Sequence, residues 1–144
     1  MTVMRAEEVL REPERLERKM RILAEEIAQI RASLQPGGVD YAADRVQGGG
    51  NRDKYPAAMD RIIEREKRFW ELDARRTWLT DIRIPELLEL VSDDRSRDVL
   101  RCYYICRHSL REVAEIVHWS VPTVNRLRRQ GLADIDTHLH SDMY

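Results

Sequence analysis

A chain of 144 residues with 42% hydrophobic and 35% charged side chains holds one domain, or a small domain on an extended arm, and suits long amphipathic helices better than a compact ball. No apolar run approaches the ~20 residues of a membrane span, and the N-terminus carries acids where a signal peptide has its apolar core, so a soluble, cytoplasmic protein is expected. The net charge of −1 hides an asymmetry: residues 1–94 carry 17 basic and 20 acidic side chains, residues 95–131 carry 8 arginines against 3 acids, and the last 13 residues add three aspartates.

The first segment, from about Val3 to Gln35, has the period of a helix. Val9, Leu16, Leu23 and Ile30 repeat every seven residues, as do Met20, Ile27 and Leu34, and together they form the a/d seam of a coiled coil. Pro13 falls on the next seam position upstream of Met20. A proline fits the first turn of a helix better than its interior, so the well-formed helix is predicted from Pro13 to Leu34, after a looser turn. Its other faces are Glu, Arg and Lys.

Residues 35–56, QPGGVDYAADRVQGGGNRDKYP, set two glycine clusters and two prolines around a polar stretch. They read as a long, partly flexible link. The glycines do not make a phosphate-binding loop, for they follow no strand and end in no Gly-Lys-Ser/Thr. A second helix is predicted from near Pro56 to about Ile84, with Met59, Ile62, Ile63, Phe69, Trp70, Leu72, Leu79 and Ile82 on a broad face interrupted by Glu66 and Asp73. The two helices are expected to form an antiparallel hairpin. An isolated pair buries little, so a homodimer through this arm is a corollary. Pro85 bends or restarts the chain before the short apolar turn Glu86–Val91. Ser92 or Asp93 then caps a helix carrying Val99, Leu100, Tyr103, Tyr104 and Ile105.

The stretch Ser109–Gln130, SLREVAEIVHWSVPTVNRLRRQ, organises the rest. Ser109 with Glu112 makes a capping box, and Leu110, Val113, Ala114 and Val117 give one buried helical face. Ser120 caps a second helix, with Pro122 in its first turn. Val124, Leu127, Gly131 and Leu132 turn inward, and Leu132 and Ile135 extend this helix before a polar tail from Asp136. The outer face keeps Thr123, Asn125, Arg126 and Arg129, side chains suited to base edges and phosphates in a major groove. Small Ala114 fits where two helices cross. His118, at the turn, is of a type that enters the left-handed region readily. Positive charge concentrates over this same stretch, as a nucleic-acid footprint should.

Cys102 and Cys106 lie four apart, a spacing unsuited to a disulfide, which fits a reduced compartment. They read as buried helical thiols. With His108 they make no recognisable metal cluster, nor do His138 and His140 in the tail, so no metal or cofactor is expected. No arrangement for nucleophilic, metal or phosphate-loop chemistry emerges, so the chain is not read as an enzyme.

The spacing of Ala114, Trp119, Val124 and Leu127 resembles the helix-turn-helix of bacterial and phage regulators, particularly region four of sigma factors, with His118 where those proteins usually have Gly. The heptads, the Gly-rich link ending in DKYPAAMD, the L-x-x-Y-Y helix of Leu100–Tyr104 and the sigma-like motif together are similar to the RinA/ArpU-type transcriptional regulators of phages and prophages. The resemblance covers residues 13–136 and implies control of phage genes, often late packaging or morphogenesis genes.

The expected architecture is therefore all-α. A helical hairpin arm over residues 1–91, with its link at 35–56, precedes a three-helix, sigma-region-four-like helix-turn-helix domain over 92–137 and a tail over 138–144. The expected function is sequence-specific binding of double-stranded DNA by a transcriptional regulator, with a recognition helix at about 121–135. Ser120 and Thr123 are expected on phosphate. Asn125 is expected on adenine and Arg126 on guanine. Arg128 and Arg129 are assigned to phosphates, with the domain edge as the alternative place for Arg128, and Arg107 and Arg111 to the backbone from the preceding helix. The alternative is a protein-interaction module that binds RNA polymerase or another regulator through the arm and the sigma-like domain.

Overall fold

The computed structural model describes residues 5–35 and 50–141, and among them the regular structure is helical, without strands. Helix α1 spans Arg5–Leu34, α2 Gly50–Trp78, α3 Ile84–Glu89, α4 Asp94–Leu100, α5 Leu110–Val117 and α6 Val121–Ser141. Two π-helical turns join this series, Leu79–Arg83 and Arg101–Ile105. No described helix is long and apolar enough to cross a membrane. Packing sorts the chain into two compact units, Arg15–Arg75 in one and Met1–Glu14 with Arg76–Tyr144 in the other. Both divisions fall inside long helices, one in α1 and one in α2.

In the unit Arg15–Arg75, the heptad seam is buried as expected at Leu16, Met20, Leu23 and Ile27, and α2 buries Ala58 and Ile62. Ion pairs join α1 to α2: Arg31 to Glu66 at 2.6 Å and Arg65 to Glu26 at 2.6 Å. Partly exposed pairs of this kind contribute roughly 0–1 kcal/mol each, whereas a buried aliphatic side chain contributes about 1.5–3 kcal/mol, so the seam dominates. The apolar face of α2 is narrower than expected, for Ile63 and Trp70 are 58% and 63% exposed. Adjacent residues on a helix point about 100° apart, so a face centred on Ile62 turns Ile63 and Trp70 outward. Residues 36–49 of the expected link lie outside the described residues. Its last part, from Gly50 to Pro56, is helical and opens α2.

The second unit begins earlier in α1 than the sequence suggested. The helix runs from Arg5 straight through Pro13. Pro13 leaves one carbonyl without its donor, a cost of about 3 kcal/mol in a helix interior. Burial of Ala6 and Leu10 before it and of Leu16 after it offsets it, at about 1.5–3 kcal/mol for each leucine. The first turn also has a cap supplied from far away: the Ala6 N–H donates to Asp136 Oδ1 at 2.8 Å. This contact explains a second difference. The polar tail expected from Asp136 is instead the last part of α6, helical to Ser141, because Asp136 is anchored. Asp134 acts in the same way on the turn before α4, accepting from the Ser92 N–H at 3.3 Å and from Ser92 Oγ at 3.1 Å. The terminal three residues of the expected tail lie outside the described set.

Pro85 accounts for the first π turn. It has no N–H and its ring crowds the carbonyl four residues back, so the ladder widens and the Ile84 N–H bonds to Leu79 O. Helix α3 then buries Ile84, Leu87 and Leu88. Asp93 caps α4 by accepting from the Arg95 N–H at 2.9 Å. After α4 a second π turn closes with the Cys106 N–H on Arg101 O at 3.0 Å, and the chain reverses at Arg107, whose φ is 61°. Cys102 is half-buried and Cys106 is exposed, so neither of the two thiols expected to be buried is fully so. Among the described residues no group of three His, Cys, Asp or Glu side chains is placed to hold a metal.

Helices α4 and α6 approach closely at Gly131. A Cβ built there would lie 2.7 Å from Leu100 Cδ1 and 3.4 Å from Ser96 Cβ. Ser96 is fully buried, and its hydroxyl has no hydrogen-bond partner among the described residues. These two positions predict opposite responses to alanine. Gly131→Ala overpacks the crossing, at about 1–3 kcal/mol, against roughly 1 kcal/mol gained in helix propensity, and should lower the urea midpoint. Ser96→Ala removes an unsatisfied hydroxyl and should raise stability by about 1 kcal/mol.

Candidate nucleic-acid interface

Helices α5 and α6 are joined by three residues, and each feature of the join has a local cause. Ser109 Oγ accepts from the Glu112 N–H at 3.2 Å while Glu112 Oε1 accepts from the Ser109 N–H at 3.2 Å, the reciprocal cap expected from the sequence. At the other end of α5, His118 adopts φ 63°, ψ 40°, the left-handed conformation expected of it, and the Trp119 N–H closes back onto Ala114 O at 3.2 Å. Ser120 caps α6: its Oγ accepts from the Thr123 N–H at 3.3 Å and donates to Thr123 Oγ1 at 2.9 Å.

Beneath the join lies one apolar cluster. Val99 from α4, Val113 and Ala114 from α5, and Val124 and Leu127 from α6 are buried together, with Tyr103, Leu110, Val117 and Trp119 packed around them. Farther along α6, Leu132 and Ile135 are fully buried. This inner face fixes the rotation of α6 and therefore what its outer face presents.

On that outer face Arg126 and Arg129 are exposed, and they line a shallow groove with Pro122, Asn125, Gln130 and Ala133. Among the described residues no ion pair ties either arginine down. Arg111 is exposed on α5. Ser120 and Thr123 stand at the entrance of α6, their hydroxyls paired with each other. Arg107 is exposed in its left-handed turn and already has a partner.

Arg128 departs from expectation. Its side chain is only 15% exposed and turns inward rather than toward a phosphate. Its Nε and Nη2 donate to Asn125 Oδ1 at 3.3 and 3.0 Å, and its Nη1 donates to the Tyr104 hydroxyl at 3.0 Å. The guanidinium lies 5.3 Å from the centre of the Tyr103 ring, and Glu7 Oε1 of α1 is 3.8 Å from Nη1. Glu7 in turn accepts from Arg11 Nε at 2.9 Å. Arg11 reaches the Tyr103 hydroxyl at 3.3 Å and sits 5.3 Å from the centre of the Tyr104 ring. Tyr103 and Tyr104 meet edge to face at 4.8 Å. Two arginines, one carboxylate and two tyrosines thus form a single cluster behind α6.

This cluster shapes protonation. The Tyr103 hydroxyl, with Glu7, holds Arg11 more firmly protonated than usual. Burial pushes the Tyr104 phenol up, with Arg128 acting against it. Burial likewise raises the Cys102 thiol. Glu112 shifts the other way: the Ser109 N–H and then His108 hold its carboxyl below the usual range.

The residues of this cluster other than Arg128 carry no signal in the sequence as site residues. Glu7 and Arg11 lie more than ninety positions from the tyrosines they meet. The one local clue is the spacing of Asn125 and Arg128, three apart and neighbours on a helix.

The chain matches no protein-family model, no curated protein and no solved structure.

Two consequences are measurable. His118→Gly relieves the left-handed strain of a side chain and should stabilise the fold by about 1 kcal/mol, read as a raised urea midpoint with unchanged circular dichroism. The lowered Glu112 acid makes the cap pH-dependent. A carboxyl depressed in the folded state stabilises fully above its unfolded value and loses that contribution as pH falls through its folded one. The stability gap between the native chain and Glu112→Gln should therefore be widest near neutrality and close below about pH 4, near the unfolded carboxyl range.

Proposed function

We propose that the chain is a sequence-specific DNA-binding regulator in which α5, the three-residue turn and α6 act as a helix-turn-helix, with the N-terminal half of α6 as recognition helix. One observation carries the reading. A helix held by a fully buried inner face presents two exposed arginines without an ion pair among the described residues, an asparagine and a capping serine–threonine pair along the opposite side. This is the chemistry that meets phosphates and base edges. The excess of arginine over residues 95–131 supplies the attraction to a polyanion. Helix α4 completes a three-helix domain in this reading, and α1 with α2 forms an antiparallel arm.

Within the site, Arg126 reads a base edge, and Arg129 and Arg111 meet phosphates. Ser120 and Thr123 contact phosphate at the helix entrance. The likeness to RinA/ArpU-type phage regulators supports a role in switching phage or prophage genes inside the bacterial cytoplasm. The arm supports self-association into a dimer.

A second reading has its own observation. Ile63 and Trp70, exposed on α2, are large apolar side chains of the kind that anchor protein partners. The arm then binds RNA polymerase or another regulator, alongside DNA binding or in place of it.

Selection of bound sequences from a random duplex pool at near-physiological salt tests the first reading. The native chain should enrich one motif. Arg126→Ala should lose about 1–3 kcal/mol and relax preference at one base position. Equal recovery of all sequences by the folded native chain would leave the partner-binding reading in its place.

A further inference from the structure

We propose that Arg128 is a positioning residue that turns Asn125 into a donor-only reader, giving the base it faces a preference for guanine over adenine. The inference rests on the DNA-binding reading above and refines it. An asparagine recognises adenine with both ends of its carboxamide: Oδ1 accepts from N6–H while Nδ2 donates to N7. Here Oδ1 is already engaged twice, by Arg128 Nε at 3.3 Å and Nη2 at 3.0 Å. A carbonyl oxygen has two lone pairs, and a guanidinium has only donors, so the oxygen faces Arg128 and is fully used. What Asn125 has left is its NH₂ group.

Two N–H donors suit guanine, whose major-groove edge offers O6 and N7 as acceptors. Adenine offers N7 alone, and its amino group meets the Asn125 donors with like polarity. The assignment of Asn125 to adenine made from the sequence is therefore reversed by its neighbour.

Arg128 is fixed well enough to impose this. Nη1 is anchored on the Tyr104 hydroxyl at 3.0 Å, the guanidinium lies 5.3 Å from the Tyr103 ring centre, and Glu7 is 3.8 Å away. To accept from adenine, Asn125 must leave both Arg128 donors and expose a half-buried guanidinium without its partner. Charge-assisted hydrogen bonds of this kind are the stronger class, so the carboxamide stays as it is.

The test compares motifs selected by the native chain, Asn125→Ala and Arg128→Met. The Asn125 position is the one at which preference vanishes in Asn125→Ala. It should hold guanine for the native chain, and Arg128→Met, which frees Oδ1, should raise adenine there about tenfold relative to guanine, leaving other positions unchanged. Adenine at that position in the native motif, or an unaltered motif in folded Arg128→Met, would overturn the inference while leaving DNA reading intact. No motif at all from the folded native chain would overturn the DNA-binding reading and this one with it.

A second measurement guards against a variant that does not fold. In the free native protein, the Arg128 Nε–H resonance should be protected from exchange and should move in Asn125→Ala. An Arg128 signal that exchanges freely and ignores Asn125→Ala would overturn the inference independently of any DNA.

Discussion

The guanidinium of Arg128 is the contact on which the C-terminal half of the chain turns. It gathers Asn125 from its own helix, Tyr104 and Tyr103 from the turn after α4, and Glu7 from the first turns of α1. A largely buried cation with several partners is costly to break, because removing one partner strands a charge away from water. The cluster therefore defines a single arrangement of three segments separated by most of the chain length. It also divides the labour of the arginines on α6: Arg128 builds the domain, while Arg126 and Arg129 remain available to a ligand.

The same economy governs the acids at the end of α6. Asp134 and Asp136 look like part of a solvated tail in the sequence, yet one caps the turn before α4 and the other caps α1. Asp136 satisfies a backbone donor that the start of α1 leaves open, and Asp134 satisfies the Ser92 N–H in the turn that leads into α4. Long-range capping makes α6 the spine of its unit, since it holds α4 through Gly131 and α5 through Val124 and Leu127. It holds α1 through Asp136.

What could be read from the sequence follows the range of the interactions. The capping box at Ser109, the serine cap at Ser120, the left-handed turn at His118, the buried stripe of α5 and the heptads of α1 are all set by neighbours within a turn or two. Each is found where the pattern places it. The exposed positions of Arg111, Arg126 and Arg129 follow from the same periodicity. The helical course through Pro13 is not legible, because a proline's local penalty is outweighed by burial of Leu10 and Leu16 and by the distant cap that Asp136 gives Ala6. Nor is the inward turn of Arg128: periodicity places it between the inner and outer faces, and only the presence of Tyr104 and Glu7 decides which way it goes. Ile63 and Trp70 fall on the face that the sequence pattern marks as apolar yet are exposed, because hydrophobicity alone does not say where the centre of that face lies.

Underlying all of this is one structural claim, that the first turns of α1 fold as part of the C-terminal unit rather than as the frayed end of an arm. Native-state amide hydrogen exchange measures it residue by residue. The amides of Leu10 and Arg11 should open with the same free energy as those of Val113 and Leu127, in one cooperative event. Fast exchange at Leu10 and Arg11, with α5 and α6 still protected, would show instead that these turns open alone and that Glu7 does not support α6.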